Sequence, residues 1–281
     1  MNFLSKILFI SSPGAMAMVV FSPRISNSNL NPSKLLNLNS VDDIFRVVEN
    51  PSKRGATVLE APCTQEGLSL YIGIDSDSFG GNERPGNGGI RLLNYESKKH
   101  AIDDAVRLAK GMTRKHDMFR TGFSGAKIVV KSDHEDLSSV KRKSLMEDAA
   151  KALRALGGSM YTGCDLNTSD KDMDFLTEAT DNQYVLAGRD SRVDTNIATA
   201  SSVIGSIIGT VQAMRGHTDI SDLTFTVQGC GKVGNTVAKE LVRLGAKKVQ
   251  TCDLLTEAAN INGCTRINDW QNTPCDFLVP W

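Results

Sequence analysis

The sequence lacks a surplus of charge of either sign, and it lacks closely spaced cysteines. Its 281 residues carry 32 basic and 32 acidic side chains. Because proteins that bind nucleic acid usually present a basic surface, this balance argues against nucleic acid as the main partner. The six cysteines form no Cys-x-x-Cys pair, and the four histidines are not grouped with them. We therefore expect free thiols, with no disulfide framework and no metal site.

The first forty residues lack aspartate and glutamate and are rich in serine and asparagine. Their apolar stretch, Ile7–Phe21, is interrupted by Pro13-Gly14, which makes it a poor candidate for a membrane-spanning helix. The composition is compatible with a targeting peptide, a disordered extension or a later start codon. We treat residues 1–40 as an extension. We expect a cytoplasmic protein with no membrane partner, unless this segment directs the chain to an organelle.

Hydrophobic periodicity divides the remaining chain into alternating strands and helices. Leu68–Ile74 alternates as a strand with one buried face would, and Ala126–Lys131 is typical of a buried strand. The predicted helices span Ser97–Met112, Leu137–Leu156, Ser169–Ala179 and Asp194–Met214. Val140 in the second helix and Met214 in the fourth are predicted to face inward. Strands that alternate with helices favour an α/β fold with a parallel sheet in both halves.

A glycine motif directly follows the predicted strand Leu223–Gln228. After this motif, Gly229–Gly234, come an apolar-striped helix, the strand Lys248–Cys252 and then Asp253. An acidic residue at this position can accept hydrogen bonds from a ribose 2′-hydroxyl, and its charge repels a 2′-phosphate, which favours NAD over NADP. A glycine turn in a ligand-free α/β unit is the alternative, but the strand, helix, strand and acid together favour dinucleotide binding.

Each glycine of this motif has a distinct structural role. Gly229 makes the tight turn, Gly231 lets the pyrophosphate approach the backbone, and Gly234 lets the helix pack closely on the strand. Exposed N–H groups at the start of the helix, around Lys232 and Val233, would bind the phosphates.

Three polar residues upstream stand in or beside small-residue segments. Lys115 ends the segment Gly111–Lys115. Lys127 ends the segment Gly122–Lys127, which we interpret as a loop entering a strand, and Asp165 ends Tyr161–Asp165. Taken alone they are ambiguous, because most lysines are solvated and an aspartate before a helix is usually a cap.

Several ordered motifs resemble the Glu/Leu/Phe/Val dehydrogenase family, and most closely its leucine, phenylalanine and tryptophan members. The twelve-residue spacing between the two lysines is similar to that of the family, and the resemblance runs from about Val41 to the C-terminus. Five motifs of the family have counterparts here. In chain order, they are GGTR, GMTYK, GGGK, T-x-x-D and a helical Thr-Ala pair. Their respective counterparts are Gly88–Arg91, Gly111–Lys115, Ser124–Lys127, Thr162–Asp165 and Thr199-Ala200.

The resemblance implies an N-terminal α/β catalytic and dimerisation domain, residues 41–190, followed by a Rossmann-type NAD-binding domain, residues 191–281, that is incomplete at its C-terminal end. It also implies a homo-oligomer that converts an L-amino acid and NAD reversibly to the 2-oxo acid, ammonia and NADH, with substrate and nicotinamide meeting between the domains.

The resemblance assigns roles to individual residues. Lys127 would be the general base, Asp165 would shuttle protons, and Lys115 would pair with the substrate carboxylate. The remaining substrate-binding residues would be Gly88, Gly89, Met112 and Gly163. The NAD-binding residues would be Gly229, Gly231, Lys232, Val233, Gly234, Asp253 and Thr199.

The sequence also departs from the family. Ser124 and Ala126 replace glycines and are expected to crowd the lysine segment, and Asn87 replaces a pocket leucine. Because Gly163 leaves more room than alanine, it favours a bulky apolar or aromatic substrate. Family members continue beyond the motif that Cys275–Pro280 resembles, so a catalytically impaired relative that acts as a cofactor-binding or assembly module stays an alternative. The paired lysines disfavour a hydroxy-acid oxidoreductase on the same fold.

Overall fold

The computed structural model describes residues 45–49, 55–75, 84–186 and 194–280. These residues form two compact units, with the division between residues 191 and 192. Each unit has its own sheet and its own buried apolar cluster. The predicted extension, residues 1–40, lies outside the described residues.

The upstream unit is built on a mixed sheet rather than a parallel one. Its described strands are β1 (Arg46–Glu49), β2 (Ala56–Ala61), β3 (Leu68–Asp75), β4 (Gly86–Asn87), β5 (Ile90–Leu93), β6 (Ser124–Ser132) and β7 (Met160–Tyr161). Neighbouring strands in the series β1, β2, β3, β6 are antiparallel, whereas β4 and β5 pair with β6 in parallel and β7 pairs with β4 in parallel. The prediction of a parallel sheet is therefore wrong for this unit. Residues 62–67, which join β2 to β3, are too few for a helical crossover.

The three predicted helices of this unit are confirmed. They are α1 (Lys98–Phe119), α2 (Ser139–Ala155) and α3 (Asp170–Ala179). At the start of each helix a serine side chain accepts a hydrogen bond from a backbone N–H of the first turn; these serines are Ser97, Ser138 and Ser169 respectively. Ser169 and Asp172 complete a capping box on α3. Side-chain caps of this kind satisfy first-turn N–H groups, which explains why the helices begin at these residues.

Helix α1 lies very close to strands β3 and β6 because two strand glycines face it. A Cβ atom at Gly73 would lie 2.5 Å from the carbonyl oxygen of Ala105, and one at Gly125 would lie 1.9 Å from that of Ala109. The hydroxyl oxygen of Thr113 accepts a hydrogen bond of 2.9 Å from the backbone N–H of Gly125. The glycines therefore hold α1 directly against the strand that carries the second motif lysine.

The downstream unit carries a parallel sheet, as predicted. Its described elements are α4 (Thr195–Arg215), β8 (Thr224–Gln228), α5 (Lys232–Arg243), β9 (Lys248–Cys252), the 3-10 turn Thr256–Ala259, β10 (Thr265–Arg266) and β11 (Phe277–Pro280). The strand order is β10-β9-β8-β11, and all pairs are parallel. This is the order of the first four strands of a Rossmann-type sheet. The predicted succession of strand, glycine loop, helix and strand is confirmed.

Helix α4 is the most apolar helix of the described residues. By length and composition alone it could cross a membrane, a test that core helices of soluble proteins also pass. Its buried residues, Ala200, Ile207 and Val211, belong to the apolar cluster of the downstream unit.

Some predictions of side-chain burial are wrong. Strand β3 is buried on both faces rather than one, because α1 covers the face that the alternation assigns to solvent. Val140 and Met214 are 78% and 77% exposed rather than inward-facing. Both lie in a terminal turn of their helix, and helical spacing alone does not show whether a neighbouring element reaches that turn.

Replacing Gly125 by alanine is expected to destabilise the upstream unit, because the added methyl group would overlap the carbonyl oxygen of Ala109. Overpacking of this kind lowers the free energy of unfolding by about 1–3 kcal/mol. Gly111→Ala is the matched control: outside its own helical turn, no atom of the part of the chain that the structure describes lies within 4 Å of its added Cβ. Helix propensity should therefore raise its stability by about 1 kcal/mol. Urea unfolding followed by circular dichroism measures both changes, and a Gly125→Ala variant as stable as the wild type would contradict the close packing.

Candidate functional site

Lys127 lies inside a strand and its side chain is buried. It is the fourth residue of β6 rather than part of a loop, and its backbone is paired with Gly73 of β3. The side chain is 5% exposed, and its Nζ atom lies 3.1 Å from Oδ2 of Asp165. The sequence-predicted pair is thus brought together in the upstream unit.

Asp165 is positioned by the segment that follows β7. Its backbone N–H donates a hydrogen bond of 2.9 Å to the hydroxyl oxygen of Thr168. That hydroxyl in turn donates to the carbonyl oxygen of Ile90 at 2.9 Å. The backbone N–H of Ile90 also donates to the carbonyl oxygen of Gly163 at 2.9 Å. These bonds tie the aspartate segment to β5.

The glycine pair between β4 and β5 allows three segments to meet at this point. A Cβ atom at Gly88 would lie 1.7 Å from the carbonyl oxygen of Ala126 and 3.4 Å from Cγ of Met112. A Cβ atom at Gly89 would lie 2.9 Å from Cβ of Asp165. The absence of side chains at both positions therefore determines how closely the lysine strand, the aspartate and α1 can approach one another.

Burial and neighbouring charges shift the pKa values of the pair. Burial lowers the pKa of Lys127, the charges of Arg91 and Lys115 lower it further, and Asp165 opposes the shift. Burial by itself would raise the pKa of Asp165, but the hydrogen bond from Arg91 and the positive charges of Lys127 and Arg91 lower it below its ordinary value. The site therefore combines an ionised carboxylate with an ammonium that gives up its proton more readily than an ordinary lysine.

Arg91 is a site residue to which the sequence reasoning assigned no role. Its Nε atom lies 2.6 Å from Oδ2 of Asp165, and its Nη1 atom lies 3.3 Å from Oδ2 of Asp104 on α1. The sequence feature that could have identified Arg91 as a site residue is its position at the end of the Gly88–Arg91 motif, two residues after the glycine pair.

The remaining predicted substrate residues surround this pair less closely. Lys115 is exposed on α1, and its charge contributes to the lowered pKa of Lys127. An added Cβ atom at Gly163 would have one neighbour, the carbonyl oxygen of Leu186 at 3.2 Å. His116, the next residue on α1, is half-buried with its Nε2 atom 3.4 Å from the carbonyl oxygen of Asn87.

We expected Ser124 and Ala126 to crowd the lysine segment, but in the structure their side chains do not crowd Lys127. Both side chains are fully buried, and Ala126 belongs to the main apolar cluster of the unit. Because side chains alternate along a strand, they point away from the face that carries Lys127. The glycine retained between them, Gly125, is the one that faces α1.

The glycine motif of the downstream unit forms the predicted turn. Gly229 has a φ of +88°, in the left-handed region that favours glycine. Gly231 is the N-cap of α5 and no side chain caps this end, so first-turn N–H groups such as those of Lys232 and Val233 are available to an anion. Gly234 is buried in the helix.

Asp253 lies beside this turn, at the end of β9. Its Oδ2 atom accepts a hydrogen bond of 2.5 Å from the backbone N–H of Cys230, and its Oδ1 atom accepts one of 2.8 Å from Leu255. The acid therefore also fixes the conformation of the glycine loop.

Thr199 is the predicted cofactor residue that the structure does not join to this turn. It is exposed on α4, and its hydroxyl donates to the carbonyl oxygen of Thr195 at 2.7 Å. It lines a groove of about 420 Å³ between α4 and β11.

Comparison with known proteins agrees with the motifs. Residues 78–182 match the Glu/Leu/Phe/Val dehydrogenase dimerisation domain. Phenylalanine dehydrogenase from Lysinibacillus sphaericus is 30% identical over 211 residues, which are 73% of this chain and 51% of the relative. Leucine dehydrogenase from Bacillus cereus is 28% identical over 227 residues, which are 77% of this chain and 59% of the relative. The chain thus spans little more than half the length of these relatives.

Solved structures show the same fold. L-tryptophan dehydrogenase from Nostoc punctiforme is similar with a TM-score of 0.58 and 22% identity, over 82% of this chain and 65% of that one. The hetero-hexameric glutamate dehydrogenase from Thermus thermophilus is similar with a TM-score of 0.58 and 20% identity, over 77% of this chain and 56% of that one. Residues 78–182 therefore resemble the dimerisation domain of the Glu/Leu/Phe/Val dehydrogenases, and the solved structures show a shared fold.

Proposed function

We propose that this chain carries the catalytic and cofactor-binding residues of an NAD-dependent L-amino-acid dehydrogenase. The reaction is the reversible oxidative deamination of an amino acid to its 2-oxo acid and ammonia. The observation that supports this most directly is the buried Lys127, whose ammonium lies 3.1 Å from the carboxylate of Asp165. A general base and a proton carrier held in contact are what deamination at the 2-carbon requires.

Lys127 serves as the general base. Because burial lowers its pKa, more of it is neutral near neutral pH than of an exposed lysine. Bound NAD would supply the hydride acceptor for the hydrogen of the 2-carbon. Asp165, which is ionised, accepts a proton from the substrate ammonium before this transfer, which leaves an imine at the 2-carbon. The neutral amine of Lys127 then accepts a proton from the water that adds to the imine carbon and forms a carbinolamine. Asp165 returns its proton to the nitrogen, and as the C–N bond breaks and ammonia leaves, the hydroxyl proton passes to solvent.

Lys115 binds the substrate carboxylate. It is exposed on α1, and its positive charge contributes to the lowered pKa of Lys127. Gly88, Gly89 and Met112 complete the substrate site, since the glycines leave backbone rather than side chains beside the reacting pair. The lack of a side chain at Gly163 supports a bulky apolar or aromatic substrate, as does the similarity to a phenylalanine dehydrogenase. The match to a dimerisation domain supports a homo-oligomer.

The residues of the downstream unit fit a dinucleotide. The uncapped start of α5 offers backbone N–H groups to the pyrophosphate, and among the described residues, apart from its chain neighbours, no atom lies within 4 Å of the Cβ position at Gly231. The carboxylate of Asp253 receives the ribose hydroxyls and repels a 2′-phosphate, which selects NAD. We also assign Thr199 to the cofactor site, on the resemblance alone.

Lys127→Ala is expected to abolish turnover, because it removes the general base. The measurement is NADH oxidation by the purified chain with ammonia and a panel of aliphatic and aromatic 2-oxo acids. We expect kcat to fall by about 10²- to 10⁴-fold. Lys131→Ala, on the same strand but paired with surface Asp133, is the matched control and should retain wild-type turnover. A wild-type chain that binds NADH but turns over no 2-oxo acid would support the catalytically impaired relative instead.

Gly231→Ala is expected to leave the fold intact while weakening cofactor binding. Its methyl group meets no atom of the described residues within 4 Å beyond its chain neighbours, yet it occupies the space that the pyrophosphate needs. Fluorescence titration should show the Kd for NADH raised about tenfold or more, a loss of at least about 1.4 kcal/mol. The melting temperature should stay unchanged. Unaltered NADH affinity in this variant would remove the glycine loop from the cofactor site.

The rate of oxidative deamination is expected to rise with pH as Lys127 loses its proton. Because the pKa of Lys127 is lowered, the midpoint of this rise in kcat/KM should lie below the ordinary value for a lysine. The charge of Asp165 raises the pKa of Lys127. Asp165→Asn should therefore move the rise to lower pH while lowering the plateau. A rise that does not move in Asp165→Asn would identify a different titrating group.

A further inference from the structure

We propose that Arg91, held in place by Asp104, is a positioning residue that fixes the Asp165 carboxylate against Lys127. This inference rests on the function proposed above, because it concerns the same reacting pair. Arg91 and Asp104 are assigned no contact with substrate, and they act through Asp165.

One carboxylate oxygen receives both cations of the site. Oδ2 of Asp165 lies 2.6 Å from Nε of Arg91 and 3.1 Å from Nζ of Lys127. The shorter contact is a charge-assisted hydrogen bond, which has a stricter geometry than a simple attraction between charges. The arginine therefore decides where the carboxylate lies, and the carboxylate decides where the lysine ammonium lies.

The other side of the guanidinium is anchored to α1. Nη1 of Arg91 lies 3.3 Å from Oδ2 of Asp104. The same oxygen accepts a hydrogen bond of 2.7 Å from the hydroxyl of Tyr95, and Oδ1 accepts one of 2.9 Å from Nε of Arg107. Asp104 is thus held by Tyr95 and Arg107, and it presents a fixed acceptor to Arg91.

Burial makes these contacts stronger than surface ion pairs. The side chains of Arg91 and Asp104 are 18% and 13% exposed, whereas exposed pairs contribute little. The charges alternate in sign from Lys127 through Asp165, Arg91 and Asp104 to Arg107, so each buried group faces an opposite charge. This arrangement offsets the cost of burial for the interior groups.

The backbone supports the same assignment. Strand β5 pairs in parallel with β6, with Arg91 opposite Val129, two residues beyond Lys127. Arginine and lysine therefore stand on neighbouring paired strands, and sites built on regular elements hold their groups more accurately than loops do. Asp165 lies on a loop, so its carboxylate depends on side-chain contacts for its orientation in addition to the bonds that hold its backbone.

Variants at the two ends of the arginine contact test the proposal in the full chain. Asp104→Asn and Arg91→Met should lower kcat by roughly tenfold to a hundredfold, since small misplacements of reacting groups have effects of this size. The KM for the 2-oxo acid should stay near the wild-type value. Arg91→Lys keeps the charge but cannot bridge two carboxylates, so its kcat should lie between those of the wild type and Arg91→Met.

A neighbouring acid on the same helix is the matched control. Asp103 pairs with Lys99 one turn earlier on α1, and that lysine is 80% exposed. Asp103→Asn should therefore leave kcat and KM unchanged. An Asp104→Asn variant that behaves like Asp103→Asn would overturn the proposal. A fall in kcat that is fully explained by a loss of stability, measured as a lowered melting temperature of the same variant, would overturn it as well.

The ionisation of Asp165 gives a readout that does not need turnover. The charged groups around this carboxylate are Lys127 on β6 and Arg91 on β5, with Asp104 and Lys115 on α1 acting through those two. Carbon-13 NMR of aspartate-labelled chain, assigned with Asp165→Asn, follows its titration. Because the hydrogen bond and charge of Arg91 lower the pKa of Asp165, the midpoint should rise in Arg91→Met and stay in place in Asp103→Asn. Loss of the Asp104 charge would by itself lower the midpoint, so a rise in Asp104→Asn can come only from displacement of Arg91, which is the result that the proposal expects.

The two readouts separate the two proposals. A wild-type chain that turns over no amino acid would defeat the proposed function, while a raised Asp165 midpoint in Asp104→Asn would still establish the positioning contact. Normal turnover together with an unmoved midpoint in Asp104→Asn would defeat the positioning role alone.

Discussion

The close packing of α1 on the upstream sheet is the constraint on which the rest of the candidate site depends. Gly73 and Gly125 carry no side chain on the face that α1 covers, and the backbone of the helix occupies that space. The same helix carries Lys115 and Asp104, so its distance from the strands sets the positions of both charges relative to Lys127. A larger residue at either glycine would move all of these groups together.

Burial of Lys127 beside Asp165 follows from this packing and shifts the pKa of the lysine. A lysine side chain 5% exposed cannot be fully solvated, which favours its neutral form. The charge of Asp165 raises the pKa of Lys127, whereas Arg91, which shares the same carboxylate oxygen, adds a second positive charge that lowers it. The pKa values of Lys127 and Asp165 are thus both lowered from their ordinary values.

Local patterns predicted most elements of the fold but not the direction of their pairing. Side-chain caps at Ser97 and Ser169 mark helix starts because capping depends on residues close in sequence. The antiparallel pairing of β2 with β3 was missed, since hydrophobic alternation carries no information on strand direction. Exposure of Val140 was missed as well, because burial of a terminal turn depends on whether a distant element covers it.

The sequence by itself determined the glycine loop with its acid, the spacing of Lys115 and Lys127 and the relation to a dehydrogenase family, because these depend on short segments whose residues have particular backbone or charge requirements. Only the tertiary structure decided which distant groups touch. The contacts of Asp165 with Lys127 and of Arg91 with Asp104 join β5, β6, α1 and the loop after β7. Such contacts depend on strand pairing and helix packing across long sequence separations, which no local pattern encodes.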